Sequence, residues 1–571
     1  MLRPFTGVHA PLDFAVYDLE WYPETYKLRL VGVYDGSHYR SYTSIAEFLN
    51  AELTSETRGR ILFAHAGGLA DVQFVLEEIL RQGRDWKVEA SFSGSSAILV
   101  KATRGDRTWV FADSYWLLKD ALAKIGKSLG EQKGGDDYRC PDFPHCGHRI
   151  EEDDWRLPKC IFYAPIGILR DYNALDCRIL FNGISRFQEE ILALGSSLRP
   201  TIASTAMRLF RSRFLNGPIR TNARVNETAR IAYIASRVEV FQEYMTGPAH
   251  YYDLNSSFPF SMTSPCPGAL KGSSRRWEEG DELALVDATI RAPNRDVPPL
   301  PYRAESGRIL FPFGRWRSWF SGVDLLLLLE SGGTIDKVHR ALSFESRLDL
   351  AAYVTLIYEL RRTEKDPFRR LVYKYLMNAL YGKFGETPEK QAMLVNPDKI
   401  PAVAERIASG VYLVPETVRI EHEHVPFAMC VTARSRALLT RGLWATSSRA
   451  YCDTDSIVTR DTLPTSDALG DWKEEEAIER EAVFLAPKLY RLDDRIKAKG
   501  FPRLRLADFE KLRAGGSIEL NRMLRIRELY RSGNTAPRGL PTKKRVWGAA
   551  QPKRRPTPEG GTEPWDVSDI T

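Results

Sequence analysis

The hydrophobic and polar positions of the first 190 residues alternate between two periods. Apolar runs over Asp13 to Leu19 and Leu28 to Tyr34 predict β-strands, and the spacing over Asp71 to Arg81 and over Leu169 to Leu194 predicts α-helices. Strands that alternate with helices predict an α/β domain. A helical connector follows, and then a further apolar strand over Tyr251 to Leu254.

Two later apolar strands end in carboxylates. The first ends at Asp253, and the second carries Asp453 and Asp455 at a point where the chain would turn back. Asp and Ser are ordinary turn residues, so the second pair alone is also compatible with a solvated turn. Two carboxylate strands with a cationic helix between them are what metal-dependent nucleotidyl transfer requires.

The helix between these strands carries a cationic stripe. Arg370, Lys374 and Asn378 recur at i, i+4 and i+8 and therefore share one face. A cationic face that lines a cleft binds triphosphate, whereas the alternative is a solvated helix face. The carboxylates on either side favour the first interpretation.

Three motifs built from these residues, in this order, resemble those of the family B DNA polymerases, and within them the protein-primed branch of phages and linear plasmids. The resemblance runs from about residue 13 to about residue 547. Its first palm motif, fingers motif and second palm motif correspond to Asp253-x-x-Ser256-x-x-Pro259, Lys374-x-x-x-Asn378-x-x-Tyr381-Gly382 and Tyr451-x-Asp453-Thr454-Asp455-Ser456.

The resemblance implies a multidomain chain of α/β and α+β class. An RNase H-like 3′–5′ exonuclease domain would precede a right-hand polymerase domain with palm, fingers, thumb and two insertions. The expected parts are the exonuclease domain (1–190), connector and start of the palm (191–261), terminal-protein-binding palm insertion (262–348), fingers (349–384), strand-displacement hairpin (385–428), palm (429–484), thumb (485–548) and a disordered tail (549–571). Within the second insertion, Gly410 to Val414 and Thr417 to Ile420 predict the two strands of the hairpin.

The polymerase metal ligands implied by the resemblance are Asp253 and Asp455, joined by the backbone carbonyl of Leu254, with Asp453 secondary. They would hold two Mg²⁺ or Mn²⁺ ions, and no organic cofactor is expected. The residues expected to bind the nucleotide are Leu254, Phe258, Arg362, Arg370, Lys374, Asn378 and Tyr381. The residues expected to contact DNA are Ser256, Thr432, Arg436, Lys488, Tyr490, Tyr233 and, in the exonuclease domain, His65.

Some positions depart from the family pattern. Phe258 stands where relatives usually carry Tyr, and it keeps the bulk that excludes a 2′-hydroxyl. Ala379 replaces a common Ser. The segment that begins at Tyr233 lacks the glycine of the corresponding Tyr-x-Gly motif, which puts that contact in doubt.

A second set of carboxylates resembles the proofreading site of the family. Asp18, Glu20, Asp71 and Asp176 would hold a second pair of metal ions, Tyr172 would orient the attacking water, and Lys133 would steady the scissile phosphate. A lone Asp-x-Glu is common on protein surfaces, so the inference depends on the complete set. Ala66 and Ala70 replace the Asn and the aromatic residue that usually contact the frayed 3′ end, which predicts weak proofreading.

Composition and charge limit the possible classes. A hydrophobic share of 43% and a charged share of 27% are typical of a globular protein, and no apolar run approaches the roughly 20 residues of a membrane span. The N-terminus predicts no leader, which favours a cytoplasmic protein. The net charge is only +7, yet Leu485 to Arg555 carries 20 basic against 6 acidic residues, as a phosphate-binding segment would.

The seven cysteines favour reduced thiols. A cluster in the sequence invites a zinc interpretation: Cys140, His145, Cys146, His148 and Cys160. Because this spacing lacks the paired Cys-x-x-Cys of strong sites, it favours an ordinary polar loop.

The expected function is a monomeric, protein-primed replicative DNA polymerase with 3′–5′ exonuclease and strand displacement, encoded by a virus or plasmid. Its partners would be a DNA primer-template, deoxynucleoside triphosphates and a terminal protein, without a membrane. One alternative is a related polymerase that primes itself, which the shortness of the chain disfavours. Another is a catalytically silent DNA-binding relative, which the complete set of catalytic residues disfavours.

Overall fold

The computed structural model of the chain describes residues 1–135, 137–150, 157–501, 504–546, 552–558 and 560–570. The N-terminal domain follows the predicted alternation of strands and helices. Its strands and helices are β1 Phe14–Trp21, β2 Leu28–Tyr34, β3 Tyr39–Tyr42, α1 Ile45–Glu52, β4 Ile61–Ala64, α2 Asp71–Gln82, β5 Trp86–Ser93, β6 Ser96–Arg104, β7 Arg107–Asp113, α3 Leu122–Leu129 and α4 Ile166–Ala193.

The middle of the chain contains the connector, the start of the palm, the first insertion and the fingers. Its elements are α5 Ile202–Arg213, α6 Ala223–Ala232, β8 Val238–Val240, β9 Tyr244–Thr246, β10 Ala249–Leu254, α7 Ser257–Ser261, β11 Cys266–Ser274, β12 Leu285–Ala292, β13 Tyr302–Arg303, β14 Ile309–Leu310, β15 Gly314–Ser321, α8 Gly322–Glu330, β16 Thr334–Arg347, α9 Asp349–Thr363 and α10 Pro367–Phe384.

The last third contains the second insertion, the rest of the palm, the thumb and the C-terminal segment. Its elements are β17 Glu389–Val395, β18 Glu405–Ala408, β19 Val411–Thr417, α11 Val425–Trp444, β20 Arg449–Asp453, β21 Ser456–Thr459, β22 Trp472–Ile478, β23 Glu481–Ala486, β24 Leu489–Leu492, β25 Arg495–Ala498, α12 Leu506–Arg513, β26 Ile518–Met523, α13 Ile526–Arg531, β27 Gly539–Lys544, β28 Arg555–Pro556 and β29 Thr562–Glu563.

The N-terminal domain is built on a mixed sheet. Its strands follow the order β5-β6-β7-β4-β1-β2-β3, in which β4 runs parallel to both β1 and β7. The long helix α4 crosses one face and buries Ile179, Leu180 and Ile184 against Phe14 and Val16 of β1. This packing places the middle of α4 beside the end of β1.

The palm is a five-stranded sheet in the order β22-β10-β21-β20-β8. Strand β10 pairs with β21 so that Asp253 lies opposite Ser456, and β20 pairs with β21 so that Asp453 lies opposite the same serine. The register therefore brings the end of β10 to the turn between β20 and β21. Helix α11 packs beneath, with Leu439 and Leu443 against Cys452 and Ile457.

The second insertion differs from the predicted hairpin. It forms three strands, β17, β19 and β18, and β17 pairs with β5, so the insertion extends the exonuclease sheet to ten strands. The predicted strand over Gly410 to Val414 is present, but β19 ends at Thr417, and Val418 to Ile420 are not part of a strand. Met393 and Val395 are fully buried in the exonuclease core, which explains why the insertion pairs with that sheet.

The prediction of a disordered tail is wrong for the described residues beyond 549. Strands β28 and β29 pair, and Val567 packs into the core of the first insertion. Arg554 is 2% exposed and donates a hydrogen bond to the carbonyl of Asp296 at 2.8 Å. The polar composition of this segment concealed these anchors, because Asp296, the partner of Arg554, lies 258 residues away in the sequence and the residues around Val567 are also distant.

Among the described residues, no helix has both the length and the apolar character that a membrane crossing requires.

Candidate active sites

The polymerase carboxylates meet where β10 ends and the chain turns from β20 to β21. The backbone N–H of Leu254 donates to the carbonyl of Asp455 at 2.7 Å, which ties the two segments together at the site itself. Thr454 occupies the turn between the two strands with a φ of 65°, which is a left-handed conformation. Asp453 and Asp455 lie directly before and after it. The structure thus brings the predicted ligands Asp253 and Asp455 together.

The electrostatics of this pair are those of a cation site. Burial, and then the neighbouring Asp455 and Glu475, raise the pKa of Asp253 to about 7. Burial and Asp453 raise the pKa of Asp455 to about 6. Like-charged carboxylates held this close resist ionising together unless a cation joins them. An all-oxygen ligand set suits hard ions such as Mg²⁺ and Mn²⁺, so these residues fit the ions that the sequence predicts.

Asp453 has different partners. Its carboxylate accepts a hydrogen bond from the Lys488 ammonium at 2.5 Å, from the Thr454 hydroxyl at 2.9 Å and from the Tyr451 hydroxyl at 3.3 Å. These contacts occupy Asp453, in keeping with the secondary role predicted for it. They also engage Lys488, for which the sequence predicted a contact with DNA.

The two aspartates open into a cleft of about 530 Å³ between palm and thumb. Lys497, within β25, and Lys499, directly after β25, also line this cleft. The sequence analysis missed both, although they lie in the basic segment that it identified, because no local pattern distinguishes them from its other cations. Tyr490, predicted to touch DNA, also lines the cleft but is 2% exposed, with its ring 5.2 Å from that of Tyr451.

The predicted cationic face of the fingers is present on α10. Arg370, Lys374 and Asn378 are all exposed on one side of the helix, and the Asn378 amide donates to the carbonyl of Lys374 at 2.9 Å. Closer to the palm, the rings of Tyr381 and Phe258 stack with centroids 4.5 Å apart and planes inclined by 14°. The two residues predicted to contact the incoming base and its sugar are therefore in direct contact.

The structure favours Arg361 over the predicted Arg362. Arg362 is exposed and paired with Glu359 on the outer side of α9. Arg361 points the other way, with its guanidinium 3.5 Å from the hydroxyl of Ser256. Burial, and then the neighbouring Arg370, lower the pKa of Arg361. Adjacent helical residues project about 100° apart, so the two arginines lie on different sides of the helix, and the contact of Arg362 with the nucleotide stays a prediction.

Two predicted DNA contacts are buried instead. Arg436 is 1% exposed, forms an ion pair with Asp324 at 2.8 Å and donates to the carbonyl of Ile234. Thr432 is 3% exposed and returns its hydroxyl to the carbonyl of Ala428. Both side chains stabilise the packing of α11, and neither is available to DNA.

Tyr233, the remaining predicted contact near the palm, ends α6 and is half-buried. The Tyr233 ring lies directly against Gly385, at the end of the fingers helix, and leaves no room for a side chain there. Its contact with DNA stays a prediction.

The exonuclease carboxylates also come together. Asp71, at the first turn of α2, accepts a hydrogen bond from the backbone N–H of Leu19 at 3.1 Å. Asn173 on α4 donates to Asp18 at 2.9 Å and to Glu20 at 3.3 Å. The sequence analysis missed Asn173, which lies one helical position after Tyr172 and orients two carboxylates at once.

The fourth carboxylate is held by the predicted lysine. The Lys133 ammonium donates to Asp176 at 2.6 Å and lies 5.0 Å from the centre of the Tyr172 ring. Lys133 is remote in sequence from α4, so the fold confirms that it approaches these residues. Its role on the scissile phosphate stays a prediction.

Burial dominates the exonuclease electrostatics. It raises the pKa of Asp18 well above its usual range, that of Glu20 to about 8 and that of Asp71 to about 7, and neighbouring carboxylates add to the shift at Asp18 and Asp71. Buried acidic groups with raised pKa values require a cation to become charged together. This site therefore also fits two divalent ions.

Ala66, in the segment before Asp71, has a backbone conformation that suits the Asn that relatives usually carry there. Ala66 has a φ of 59°, in the left-handed region that Asn tolerates better than Ala. His65 is half-buried, shares a hydrogen bond with Ser114 at 3.1 Å, and burial lowers its pKa to about 4. A neutral His65 can still contact a nucleotide, but it supplies no positive charge.

The arrangement of a sheet-based carboxylate site followed by a palm, fingers and thumb is that of a two-site polymerase fold. Phi29 DNA polymerase, solved in an orthorhombic crystal form, has this fold with a TM-score of 0.71 and 17% identity, covering 94% of this chain and 100% of that one. Its complex with primer-template DNA and incoming nucleotide substrates matches with a TM-score of 0.67 and 18% identity.

The sequence profile of "DNA polymerase type B, organellar and viral" matches residues 167–463, and the chain belongs to this family. The resemblance drawn from the motifs is confirmed. The DNA-directed DNA polymerase of Enterobacteria phage PRD1 is 23% identical over 81% of this chain and 79% of its own length. Probable DNA polymerases of Neurospora intermedia (24%) and Ascobolus immersus (27%) match 62% of the chain, which spans 40% and 31% of their lengths.

The raised pKa of Asp253 predicts a stability gain on neutralisation. In metal-free protein, Asp253→Asn should raise the free energy of unfolding, because the folded wild type resists ionising this group. The gain should grow as the pH rises from about 4, where the unfolded chain ionises, to about 7, and then level off. We expect on the order of 2 kcal/mol, roughly half of the full shift, because water reaches the open cleft.

Thermal unfolding in chelator at low and neutral pH measures this difference. The exposed Asp106, substituted as Asp106→Asn, is the matched control and should change nothing. Added Mg²⁺ or Mn²⁺ should reverse the order, since only the wild type keeps the ligand. Equal stability of variant and wild type at every pH would contradict the raised pKa of Asp253.

The left-handed Ala66 predicts a gain from the residue that the family usually carries. Ala66→Asn should relieve backbone strain and add an amide contact to the frayed 3′ end worth about 1 kcal/mol, or several-fold in the rate of single-strand degradation. Degradation of a labelled oligonucleotide measures it. Ala66→Gly is the control that relieves the strain without adding the amide, so a gain equal in both variants would assign the effect to strain alone.

Proposed function

We propose that this protein is a DNA-directed DNA polymerase with a separate 3′–5′ exonuclease site. The observation that carries the proposal is the meeting of Asp253 and Asp455 where the interior strand β10 of the palm sheet ends and β21 begins, in a cleft that the basic β24–β25 hairpin also lines. A cationic fingers face and a thumb rich in Lys and Arg supply what a triphosphate and a DNA backbone require.

In this proposal Asp253, Asp455 and the carbonyl of Leu254 would hold the divalent ions, which would supply charge stabilisation for nucleotidyl transfer. Lys374 and Arg370 neutralise the triphosphate from the fingers side. Phe258, backed by its stacking on Tyr381, excludes a 2′-hydroxyl by bulk. Lys488 donates a hydrogen bond to the secondary carboxylate Asp453 and so holds that carboxylate in place beside the proposed ions.

The exonuclease proposal uses Asp18, Glu20, Asp71 and Asp176 as ligands of a second pair of ions. Asn173 orients two of these carboxylates, and Lys133, paired with Asp176, approaches from the side of the loop before the helix. Tyr172 is positioned to orient the attacking water. The positive φ at Ala66 and the missing amide support the view that this site grips single strands weakly.

The thumb and the second insertion support a proposed role in strand displacement. Arg531 of the thumb helix α13 forms an ion pair with Glu405 of the insertion at 2.9 Å. Ile526 and Tyr530 of the same helix are buried in the core shared by the exonuclease sheet and the insertion. Thumb, insertion and exonuclease domain are therefore in contact, and we propose that a template passes beside this contact and that a duplex separates there.

The priming partner is a further proposal. We infer that synthesis starts on a hydroxyl of a terminal protein docked on the first insertion, in the cytoplasm of the host of a virus or plasmid, and that the enzyme acts as a monomer on dNTPs and a primer-template. The similarity to the DNA-directed DNA polymerase of phage PRD1 over 79% of its length supports this proposal. Self-priming is the alternative that the experiment below addresses.

Separate carboxylates at the two sites predict separable activities. Asp253→Ala or Asp455→Ala should lower nucleotide addition by about a thousandfold, equivalent to the several kcal/mol of charge stabilisation that a bound metal supplies. Degradation of single strands should persist. Asp18→Ala combined with Glu20→Ala should have the reverse effect. Single-nucleotide extension and single-strand degradation, measured on the same preparations, check both.

Asp106→Ala serves as the control, because Asp106 is an exposed carboxylate remote from both sites. It should leave both activities at the level of the wild type. Substantial synthesis by either palm variant would remove the ligand assignment, and loss of both activities in one variant would indicate unfolding, which the thermal unfolding profile would reveal.

Protein priming predicts a covalent product. Labelled nucleotide mixed with this polymerase and a small basic protein encoded beside it should mark that protein on a Ser, Thr or Tyr hydroxyl, and Asp253→Ala should abolish the label. Gel analysis with and without protease measures this. Efficient synthesis by the polymerase alone on a bare single-stranded circle would instead favour self-priming.

A further inference from the structure

Three thiols and an imidazole converge at one point beside the exonuclease site. The ligand atoms of Cys140, Cys146, His148 and Cys160 all lie within 4.8 Å of one another. The spacing of these residues favoured an ordinary polar loop, yet the structure brings four of them together. The fold brings Cys160 back to the others from the far side of the loop, which no local Cys-x-x-Cys pattern could have indicated. His145, the fifth residue of the sequence cluster, is exposed and outside the group.

The distances within the cluster suit a tetrahedral ion. With bonds of about 2.3 Å to sulfur and about 2.0 Å to nitrogen, two ligands of tetrahedral zinc lie about 3.8 Å apart for two sulfurs and about 3.5 Å apart for sulfur and nitrogen. The Sγ atoms of Cys146 and Cys160 are 3.9 Å apart, and Cys140 Sγ lies 3.2 Å from His148 Nδ1. The same sulfur pair is far beyond the roughly 2.05 Å of a disulfide bond.

The surroundings hold the ligands in place. The backbone N–H of Cys160 donates to the carbonyl of Arg149 at 2.8 Å, which ties the two ends of the loop together. The His148 ring stacks on Tyr163 with centroids 3.7 Å apart and planes inclined by 9°, and the Tyr163 hydroxyl donates to Glu24. Cys140 and Cys160 are buried. Such fixed orientation of the ligands is typical of a structural metal site.

We propose that Cys140, Cys146, His148 and Cys160 bind one structural Zn²⁺ ion. Three thiolates and a neutral imidazole complete a four-coordinate shell without an open position, as in structural rather than catalytic zinc sites. Binding releases the thiol protons to solvent and forms Zn–S bonds without any change of oxidation state. The other described cysteines lie elsewhere in the fold, outside this group.

The position of the ion gives it a structural role at the proposed exonuclease site. Cys160 is followed by Ile161, which packs with Leu169 and Tyr172 of α4 in one small apolar cluster. On the other side of the loop, Gly135 lies so close to Tyr172 that an added Cβ would be 2.4 Å from its ring. The zinc therefore links the described parts of the segment between Lys133 and α4. It holds them against the helix that carries Tyr172 and Asp176. This consequence rests on the proposed exonuclease function, whereas zinc binding does not.

Zinc content of the full chain tests the site. Protein purified without chelator should contain about one zinc per chain by inductively coupled plasma mass spectrometry, as a single four-coordinate site requires. His148→Ala and Cys146→Ser should lose most of it, while His145→Ala, the exposed neighbour, should keep it. Co²⁺ exchanged into the wild type should give the absorption of a tetrahedral thiolate complex, and His148→Ala should weaken that spectrum.

Several results would overturn the assignment. These are a wild type that neither contains zinc nor takes it up when reduced and mixed with Zn²⁺, iron in place of zinc, a Cys146–Cys160 disulfide detected by mass spectrometry in protein kept under reducing conditions, and equal losses in the two histidine variants. Nucleotide addition by each variant reports whether it is folded.

The positioning role has its own readout. His148→Ala should lower single-strand degradation by about tenfold, the lower end of the loss seen when a metal's supporting residues are removed, while nucleotide addition and its KM stay unchanged. The loop around Cys140 should also become sensitive to limited proteolysis. A variant without zinc but with full exonuclease activity would leave the zinc site in place and overturn its coupling to Lys133 and Tyr172. A wild type with zinc but without exonuclease activity would contradict the proposed function alone.

Discussion

Crowding of negative charge is the constraint on which both active sites depend. Asp253 and Asp455 in the palm, and Asp18 with Glu20 in the N-terminal domain, are held close together and largely out of water. Without cations such groups favour the protonated state, so the folded chain is strained in electrostatic terms wherever it is chemically competent. The packing around these points must offset the stability lost there, and in each site at least one carboxylate lies at or near the end of a largely buried strand, β10 or β1.

The backbone supplies the necessary rigidity. In the palm, Asp253 and Asp453 face the same residue, Ser456, and the Leu254 N–H binds the carbonyl of Asp455, so the hydrogen bonds of the sheet fix the carboxylates at short range. In the N-terminal domain the same function is divided between β1, the start of α2 and the side chain of Asn173. Asn173, which is not one of the proposed ligands, thus orients two carboxylates that are, which is typical of sites whose ligands come from distant segments.

Local pattern predicted the parts of this protein that depend on neighbours in sequence. The strand ending at Asp253, the exposed face of Lys374 and Asn378, and the start of α2 at Asp71 all follow from periodicity or from motifs of a few residues. Features that depend on distant contacts escaped it. Arg436 matches a DNA-contact motif, yet the buried Asp324, 112 residues away, takes its guanidinium. Similarly, the metal-binding character of Cys160 depends on where a long loop returns, and the order of the C-terminal segment depends on Arg554 reaching Asp296.

The contact between the exonuclease domain and the fingers has a consequence for both sites. Helix α10 carries the cationic face, and it is fastened to the N-terminal domain by Tyr375, whose hydroxyl donates to Asp120 at 2.6 Å, and by the ion pair of Arg186 with Asp366 at 2.6 Å. One hydrophobic core continues from Ile184 of α4 to Val372 and Leu376 of α10. The same helix α4 holds Asp176 about two turns earlier and Tyr172 about three turns earlier. The helix that carries the proposed exonuclease residues therefore also supports the helix that carries the cationic face, so the N-terminal domain is packed as a structural part of the polymerase fold.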